Sequence, residues 1–386
     1  VDIPVDIQLK EFNFSYPESI DIRGYKPTYK GHPLQIRKVA QAVERAKAPV
    51  ICAGGGIINA NASEELVEFA EKCRIPVVTT LMGIGAIPCQ HELNLGMVGS
   101  HGSYTANYAL HNADLLLIMG ARVGDRAMGA VNKIAEKAQI VHIDIDPAEI
   151  GKNIGVSIPV VGDIKGVLKE LLQITEPGDT GSWCDAVKDI KRERSYKHRC
   201  EGGHEPINPR YLLALLSQMV VEDAIVTTEV GQNQIWAANH YKVRKPRTFI
   251  TSGGMGTMGY GLPAAVGVKI GKPDTTVVVI SGDGSFQMSM QELGTIKQNK
   301  LGVKIIVFNN SRLGMVREIQ KIKYCGRYSQ VFLDENPDFV KLAKAYGFKG
   351  ERICKDSEVA DALKKMLSDD RPYLLECVVD PEEATL

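Results

Sequence analysis

The chain has 386 residues, more than one ordinary core accommodates, so two domains are expected. Its 46 basic residues match its 46 acidic ones, which argues against a nucleic-acid partner or an anionic membrane surface. No apolar run approaches the ~20 residues of a membrane span, Val1–Asp6 has neither basic region nor signal core, and the eight cysteines form no C-x-x-C pair, so reduced, buried thiols in the cytoplasm are expected rather than zinc or disulfides.

Residues 1–31 read as irregular. Val1 to Ile7 has the look of a strand end, and Tyr16 to Gly31, broken by Pro27 and two glycines, that of a connector. A first domain is expected over residues 32–175. Leu34–Ala46 has helical spacing, and Pro49–Ala53 is a short apolar strand ending in Gly54-Gly55-Gly56. Ala62–Lys72 reads as a helix with Ser63 as N-cap and acids in its first turn. Strands are expected at Pro76–Thr80, Leu115–Met119, Ile140–Ile145 and Pro159–Val161, with helices at Tyr104–His111 and Lys165–Leu172. Such alternation predicts a doubly wound parallel sheet.

Residues 176–207 read as a linker, with a loop at Pro177–Gly181 and a charged helix over Trp183–Arg199. The basic run Lys188–Arg199 also carries acids and has Tyr196 as its one aromatic, so a solvated helix is expected rather than a nucleic-acid patch. The last part, 208–386, alternates again. Helices are expected at Leu212–Val220, Asn233–Tyr241, Ala264–Ile270, Asp338–Tyr346 and Glu358–Leu367, and strands at Ala224–Thr228, Arg247–Thr251 and Tyr373–Val379. Within it lies a βαβ unit: strand Thr276–Ile280, helix Phe286–Gln298, strand Lys304–Phe308. The fold class is therefore α/β, two doubly wound parallel-sheet (Rossmann-like) domains in tandem.

That βαβ unit carries the chemistry. Both strands of a parallel pair end on one edge, so Asp283 and Asn310 should project into one crevice. Mg²⁺ takes octahedral oxygen ligands, commonly one or two protein groups with phosphate oxygens and water. Asp283 offers a carboxylate and Asn310 an amide oxygen. Gly282 and Gly284 admit a ligand close to the backbone, and Ser285 opens a helix whose N-terminus favours phosphate. A metal-bridged diphosphate fits this pattern better than a bare turn does. Gly254-Met255-Gly256-Thr257-Met258-Gly259 formally matches the dinucleotide fingerprint, but Tyr260-Gly261 and Pro263 delay the next helix.

Gly282-Asp283-Gly284 followed by Asn309-Asn310 resembles the metal and diphosphate motif of thiamine diphosphate (ThDP) enzymes. Gly256 to Ala265 and Leu313-Gly314-Met315-Val316 resemble the large catalytic subunit of the acetolactate synthase family, over nearly the whole chain. The resemblance implies that Asp283, Asn310 and the backbone carbonyl of Arg312 hold Mg²⁺. It implies a phosphate cradle of Val230, Gly231, Gln232 and Asn233 with Gly282, Gly284 and Ser285. Relatives commonly have His at position 233, and the Asn233 amide is expected to donate to phosphate in its place. The Gly256 carbonyl would accept the cofactor's exocyclic amine, Met258 would be the wedge that bends it, and Met315 would line the same site. Bending makes removal of the reactive proton intramolecular, after which the cofactor stabilises the carbanion left by CO₂.

The resemblance further implies 2-ketoacid substrates, a homodimer or homotetramer, and a small regulatory subunit. The family's cofactor-tuning glutamate belongs to an N-terminal domain, usually the partner's, and no residue here is assigned to it. The chain is expected to begin where that domain stops, to lack the family's covering tail, and alone to be inert or nearly so. Ile319 stands where biosynthetic relatives carry Trp, which points to a relaxed preference for 2-ketobutyrate. In the first domain the resemblance implies a structural FAD, with contacts at Gly54, Gly55, Gly56, Thr80, Leu81, Gly99, His101, Gly120, Arg122, Asp125, Arg126, Asp144 and Asp163. Val123-Gly124-Asp125-Arg126 replaces the commoner Phe-Asp-Asp-Arg. His142 and His240 read as satisfied strand or helix residues. The rivals are another ThDP decarboxylase or a pyruvate oxidase, a non-catalytic nucleotide-binding fragment, and a NAD dehydrogenase.

Overall fold

Short runs of Val, Ile and Leu fix the frame. In the first half these are β1 Pro49–Ala53, β2 Val77–Thr79, β3 Asn94–Met97, β4 Leu115–Met119, β5 Gln139–Asp144 and β6 Ile158–Val161. In the second they are β7 Ile225–Thr228, β8 Phe249–Thr251, β9 Val277–Gly282, β10 Val303–Asn309, β11 Lys349–Ile353 and β12 Tyr373–Val378. This computed structural model describes residues 2–129, 134, 136–194 and 200–386. Every pairing between these strands is parallel. The first sheet runs β3-β2-β1-β4-β5-β6 and the second β11-β12-β10-β9-β7-β8.

Each sheet is covered on both faces, which is why its central strands read as near-continuous apolar runs rather than alternating. Along β1, Ile51 and Ala53 enter one core while Val50 and Cys52 enter the other. Along β9, Val278 and Ile280 face one core and Val277 and Val279 the opposite one. The two α/β units touch directly. The Asn239 amide donates to the His101 carbonyl at 3.0 Å, and Arg247 donates to the Ile58 carbonyl at 2.9 Å.

Central strands lie where the apolar runs predict them. The two strands with no such run, β3 and β11, are both edges, where one side of the ladder is unpaired and apolar content is less needed. Helices Gly55–Asn59 and Gly314–Lys323 are also additional to the sequence reading.

Four expectations are corrected. Val1–Ile7 is not a strand end over its described residues; Val5–Gln8 is a single helical turn, because no strand edge meets it and local bonds such as Leu9 N–H to the Val5 carbonyl form instead. Ser63 is not an N-cap: Ala62 holds that position, and the buried Ser63 hydroxyl has no partner among the described residues. The expected helix Phe286–Gln298 is two helices, Asp283–Gln287 and Glu292–Gln298, joined by i→i+3 bonds such as Ser289 N–H to the Phe286 carbonyl.

The fourth concerns the linker helix. Gly181–Glu193 is not solvated on all sides. Cys184 and Val187 enter the two cores of the first sheet, and the Trp183 indole donates to the Pro49 carbonyl at 3.1 Å. Residues 195–199 of that expected helix lie outside the described residues. The eight cysteines are unpaired.

Candidate functional site

The strand order of the first sheet reverses between β1 and β4, and a ligand crevice forms at such a point. There the turns after the two strands nearly touch. A Cβ on Gly56 would lie 2.6 Å from the Gly120 Cα, so glycine is required for the approach. Beyond them opens a cavity of about 880 Å³, within the ~300–1,000 Å³ usual for cofactor pockets. Gly55, Gly56, Thr80, Leu81, His101 and Gly120 line it, as do Arg122, Asp125, Arg126, Asp144 and Asp163. Gly54 and Gly99 do not; they pack against the Gly120–Ala121 and Arg126–Ala127 backbones. Burial depresses the His101 pKa, which favours a neutral ring. His142 donates through Nε2 to the Ala121 carbonyl, 3.1 Å away, but its Nδ1 is buried without a partner among the described residues, so it is only half satisfied.

The far wall of this cavity belongs to the second unit. Ile235, Gly253 and Gly254 line it. Met82 Sδ lies against Gly253, and Arg122 Nη2 approaches Gly254.

The second sheet reverses between β7 and β9. The loop after β7 leads into helix Gln232–His240, and β9 leads straight into Asp283–Gln287. Trp236 packs edge-on against Phe308 of β10, and Phe286 edge-on against Phe339, so both helices are locked by buried aromatics. Between them is a void of about 60 Å³. Val230 to Asn233, Met258, Gly282 to Ser285, Asn310, Arg312 and Met315 all line it. Gly256 stands outside, in an exposed loop with φ +64°, and Ile319 lies one turn further along helix Gly314–Lys323, partly exposed.

Asp283 is 2% exposed. Its carboxylate accepts the Gly284 N–H at 2.9 Å and the Asn336 amide at 2.8 Å. No cation pairs with it among the described residues. Desolvation pushes its pKa up to about 6, against the lowering effect of those donors. Asn310 is also buried; its amide donates to Gln232 at 3.0 Å, and its oxygen accepts the Arg312 N–H at 3.2 Å. The Arg312 side chain is engaged elsewhere, pairing with Asp334 at 2.5 Å and lying over the Phe332 ring, while the residue borders the void. The neighbouring Asn309 points elsewhere, donating to Glu376 at 2.8 Å. Among the described residues no group of three His, Cys, Asp or Glu side chains could hold a metal. The donor set here is instead one carboxylate, one amide and backbone, as suits a hard cation completed by phosphate and water.

Asn233 does not do what was expected of it. Its amide donates to the Glu229 carbonyl at 3.1 Å and the Ile280 carbonyl at 3.0 Å, so both N–H groups are spent tying β7 to β9. The cause is burial: an amide at a switch point must satisfy its donors locally. Gln232 likewise donates to the Glu383 carbonyl at 2.9 Å. The void equals about two water volumes, and a diphosphate needs more.

Two site residues escape sequence reading. Glu229 is fully buried and accepts the N–H of Gly259 at 2.6 Å and of Leu262 at 3.1 Å. Burial raises its pKa, and those N–H groups act against the rise. It thereby clamps the loop that carries Gly256 and Met258. Asn336 connects Asp283 to Asn309 and accepts from Gln287 at 2.9 Å. An acid closing an apolar strand could have marked Glu229; nothing local marks Asn336.

The fold and this carboxylate–amide pair define a diphosphate-binding α/β protein. Comparisons agree. Residues 229–377 match the family model described as the thiamine pyrophosphate enzyme C-terminal TPP binding domain, and residues 36–171 match the central domain of the same enzymes. A probable acetolactate synthase large subunit of Methanocaldococcus jannaschii is 45% identical over 396 residues, covering 100% of this chain and 67% of its own length. Those of Buchnera aphidicola subsp. Schizaphis graminum and Corynebacterium glutamicum are 42% and 44% identical, covering 99% and 98% of this chain and 68% and 62% of their own. The chain thus spans about two thirds of these relatives. It belongs to the acetolactate synthase large-subunit family of thiamine pyrophosphate enzymes. No helix among the described residues is long and apolar enough to cross a membrane.

Proposed function

We propose that this chain provides the metal and cofactor sites of a ThDP-dependent acetolactate synthase, which decarboxylates pyruvate and joins the remainder to a second 2-ketoacid, pyruvate or 2-ketobutyrate. The observation that carries the reading is Asp283: a buried carboxylate on a void, beside Asn310, with no cationic partner among the described residues. Leaving such a charge unpaired costs several kcal/mol, and a divalent cation relieves it. Asp283, Asn310 and the Arg312 backbone would hold Mg²⁺; the turns at Gly231 and Gly282 to Ser285 would receive the diphosphate. Thiamine diphosphate supplies the electron sink for decarboxylation when bound. The protein's part is orientation. Glu229 fixes the loop of Gly256 and Met258, and Asn336 aims the Asp283 carboxylate. Asp283 is the one carboxylate lining the void among the described residues.

The larger crevice supports a dinucleotide reading. Arg122 and Arg126 suit a pyrophosphate, and Asp144 at the end of β5 suits a ribose hydroxyl. We assign it to FAD rather than NAD, in a structural role. The "large subunit" designation of the relatives is the basis for proposing a small regulatory partner, and unpaired cysteines fit a cytoplasmic setting.

The test is calorimetric titration of ThDP with Mg²⁺ into the chain and into Asp283→Ala. Saturable, Mg²⁺-dependent binding that weakens at least ~100-fold in the variant is expected. Equal binding by both would sink the assignment. A yellow flavin spectrum retained through gel filtration after incubation with FAD is the corresponding check on the first crevice.

A further inference from the structure

A third cavity, about 590 Å³, lies where the first unit, the helix Gly181–Glu193 and residues 238–243 of the second unit meet. Among its described lining residues it shares only Met97 with the large crevice and none with the void at Asp283. Lys188, Lys191, Arg192, Arg194 and Lys242 line it, and no Asp or Glu does among the described residues. Two of these cations are neutralised from outside the wall, Lys188 by Glu92 at 2.8 Å and Arg192 by Asp189 at 2.7 Å.

Lys191 is different. It is half-buried, its ammonium donates to the Asn94 carbonyl at 2.6 Å, and no carboxylate pairs with it among the described residues. Desolvation pulls its pKa down, with neighbouring Lys188 acting the same way and Cys89 against. Lys242 is exposed and likewise has no carboxylate within ion-pair distance among the described residues. At the opposite side begins the nine-residue helix Tyr104–Asn112, whose N-cap is Ser103 and whose N-terminus adds positive potential. The Arg194 guanidinium lies 4.9 Å over the Tyr104 ring, making a flat, cationic plate.

A concave wall of one sign focuses potential and gathers counter-ions. A half-buried ammonium without a carboxylate is costly until an anion arrives. Lysine point charges together with a helix N-terminus suit phosphoryl oxygens. We propose that this cavity binds a phosphorylated small molecule, and that Lys191 and Lys242 grip it from two different parts of the fold. A ligand held so would tie the helix Gly181–Glu193 to the second unit.

Cys89 also lines the cavity and reports on it directly. The probe is inorganic pyrophosphate without Mg²⁺, which leaves the metal site silent. Alkylation of Cys89 is followed by peptide mapping, with exposed Cys325 as reference. Heat of binding is measured in parallel. Pyrophosphate at millimolar concentration should slow Cys89 alkylation saturably and leave Cys325 unchanged. Lys191→Gln, which can keep the bond to Asn94, and Lys242→Gln, at an exposed position, should each weaken binding roughly tenfold. Added salt should weaken it further. The proposal is overturned if Cys89 is not protected, whatever heat appears, or if its protection persists unchanged in the two variants.

Discussion

At the switch point of the first sheet, glycine turns and loop side chains surround about 880 Å³; at that of the second, side chains from four segments close on about 60 Å³. The first site is mostly shape. Its glycines permit approach, and its charges are spread over several loops. The second is a constellation in which a few buried groups hold one another: Asp283, Asn336, Asn309 and Glu376 form one hydrogen-bonded chain, and Asn310 and Gln232 another. A site made of shape should lose function gradually under substitution. A site made of mutual hydrogen bonds should lose it at single positions.

The sharpest test of that contrast is at the packing beneath the second site. Phe286→Ala removes a fully buried ring that holds helix Asp283–Gln287 against Phe339, and should cost about 3–5 kcal/mol in denaturant titration. A loss below ~1 kcal/mol would mean that the site does not depend on its support. Next comes Glu229→Ala, which strands the N–H groups of Gly259 and Leu262. Each unsatisfied donor costs about 1–3 kcal/mol, and Mg²⁺-dependent ThDP affinity should fall with stability. Glu229→Gln should recover part of both.

Asp283 gives the comparison a pH signature. Its folded pKa of about 6 lies above the ordinary carboxylate value, so the folded state binds the proton more readily than the unfolded chain. The metal-free protein is therefore stabilised by this group at low pH. That contribution fades as pH rises from about 4 through about 6, by at most about 3 kcal/mol. Asp283→Asn should flatten this dependence. With Mg²⁺ and ThDP present the sign reverses, because the metal needs the carboxylate: affinity should rise with pH through about 6. In the first crevice, by contrast, Arg122→Gln should weaken flavin binding only about tenfold. Smallest of all, Ile319→Trp should change discrimination between pyruvate and 2-ketobutyrate by about 1 kcal/mol in the active enzyme, read from product ratios.

The same contrast decides what the sequence could disclose. β1, β4, β9, β10 and β12 are legible because both faces are buried and most of their residues are apolar, buried Lys304 and Glu376 being exceptions. β3 contains Asn94 and Gly96, and β11 contains Lys349, Glu351 and Arg352; as edges they need no such run and look like loops. Asp283 and Asn310 are legible because a strand end places them. Asn233 is legible as a lining residue, but a motif does not say where an amide spends its hydrogens, and here it spends them on two carbonyls. Asn336 is invisible because its partner is 53 residues away along the chain. The docking of Gly181–Glu193 buries only Cys184 and Val187, with Trp183 packed partly against them, too few apolar positions to stand out in a charged segment.

The loop between Ser252 and Gly259 is a party wall. On one side Gly253 and Gly254 meet Met82 and Arg122, and on the other Met258 faces the void beside Asp283. A Cβ at Gly253 would come within 2.5 Å of the Met82 sulfur, the far end of a flexible and half-exposed side chain, which would swing aside. Bulk added at 253 is thereby passed to the rim of the first crevice, where Met82 stands.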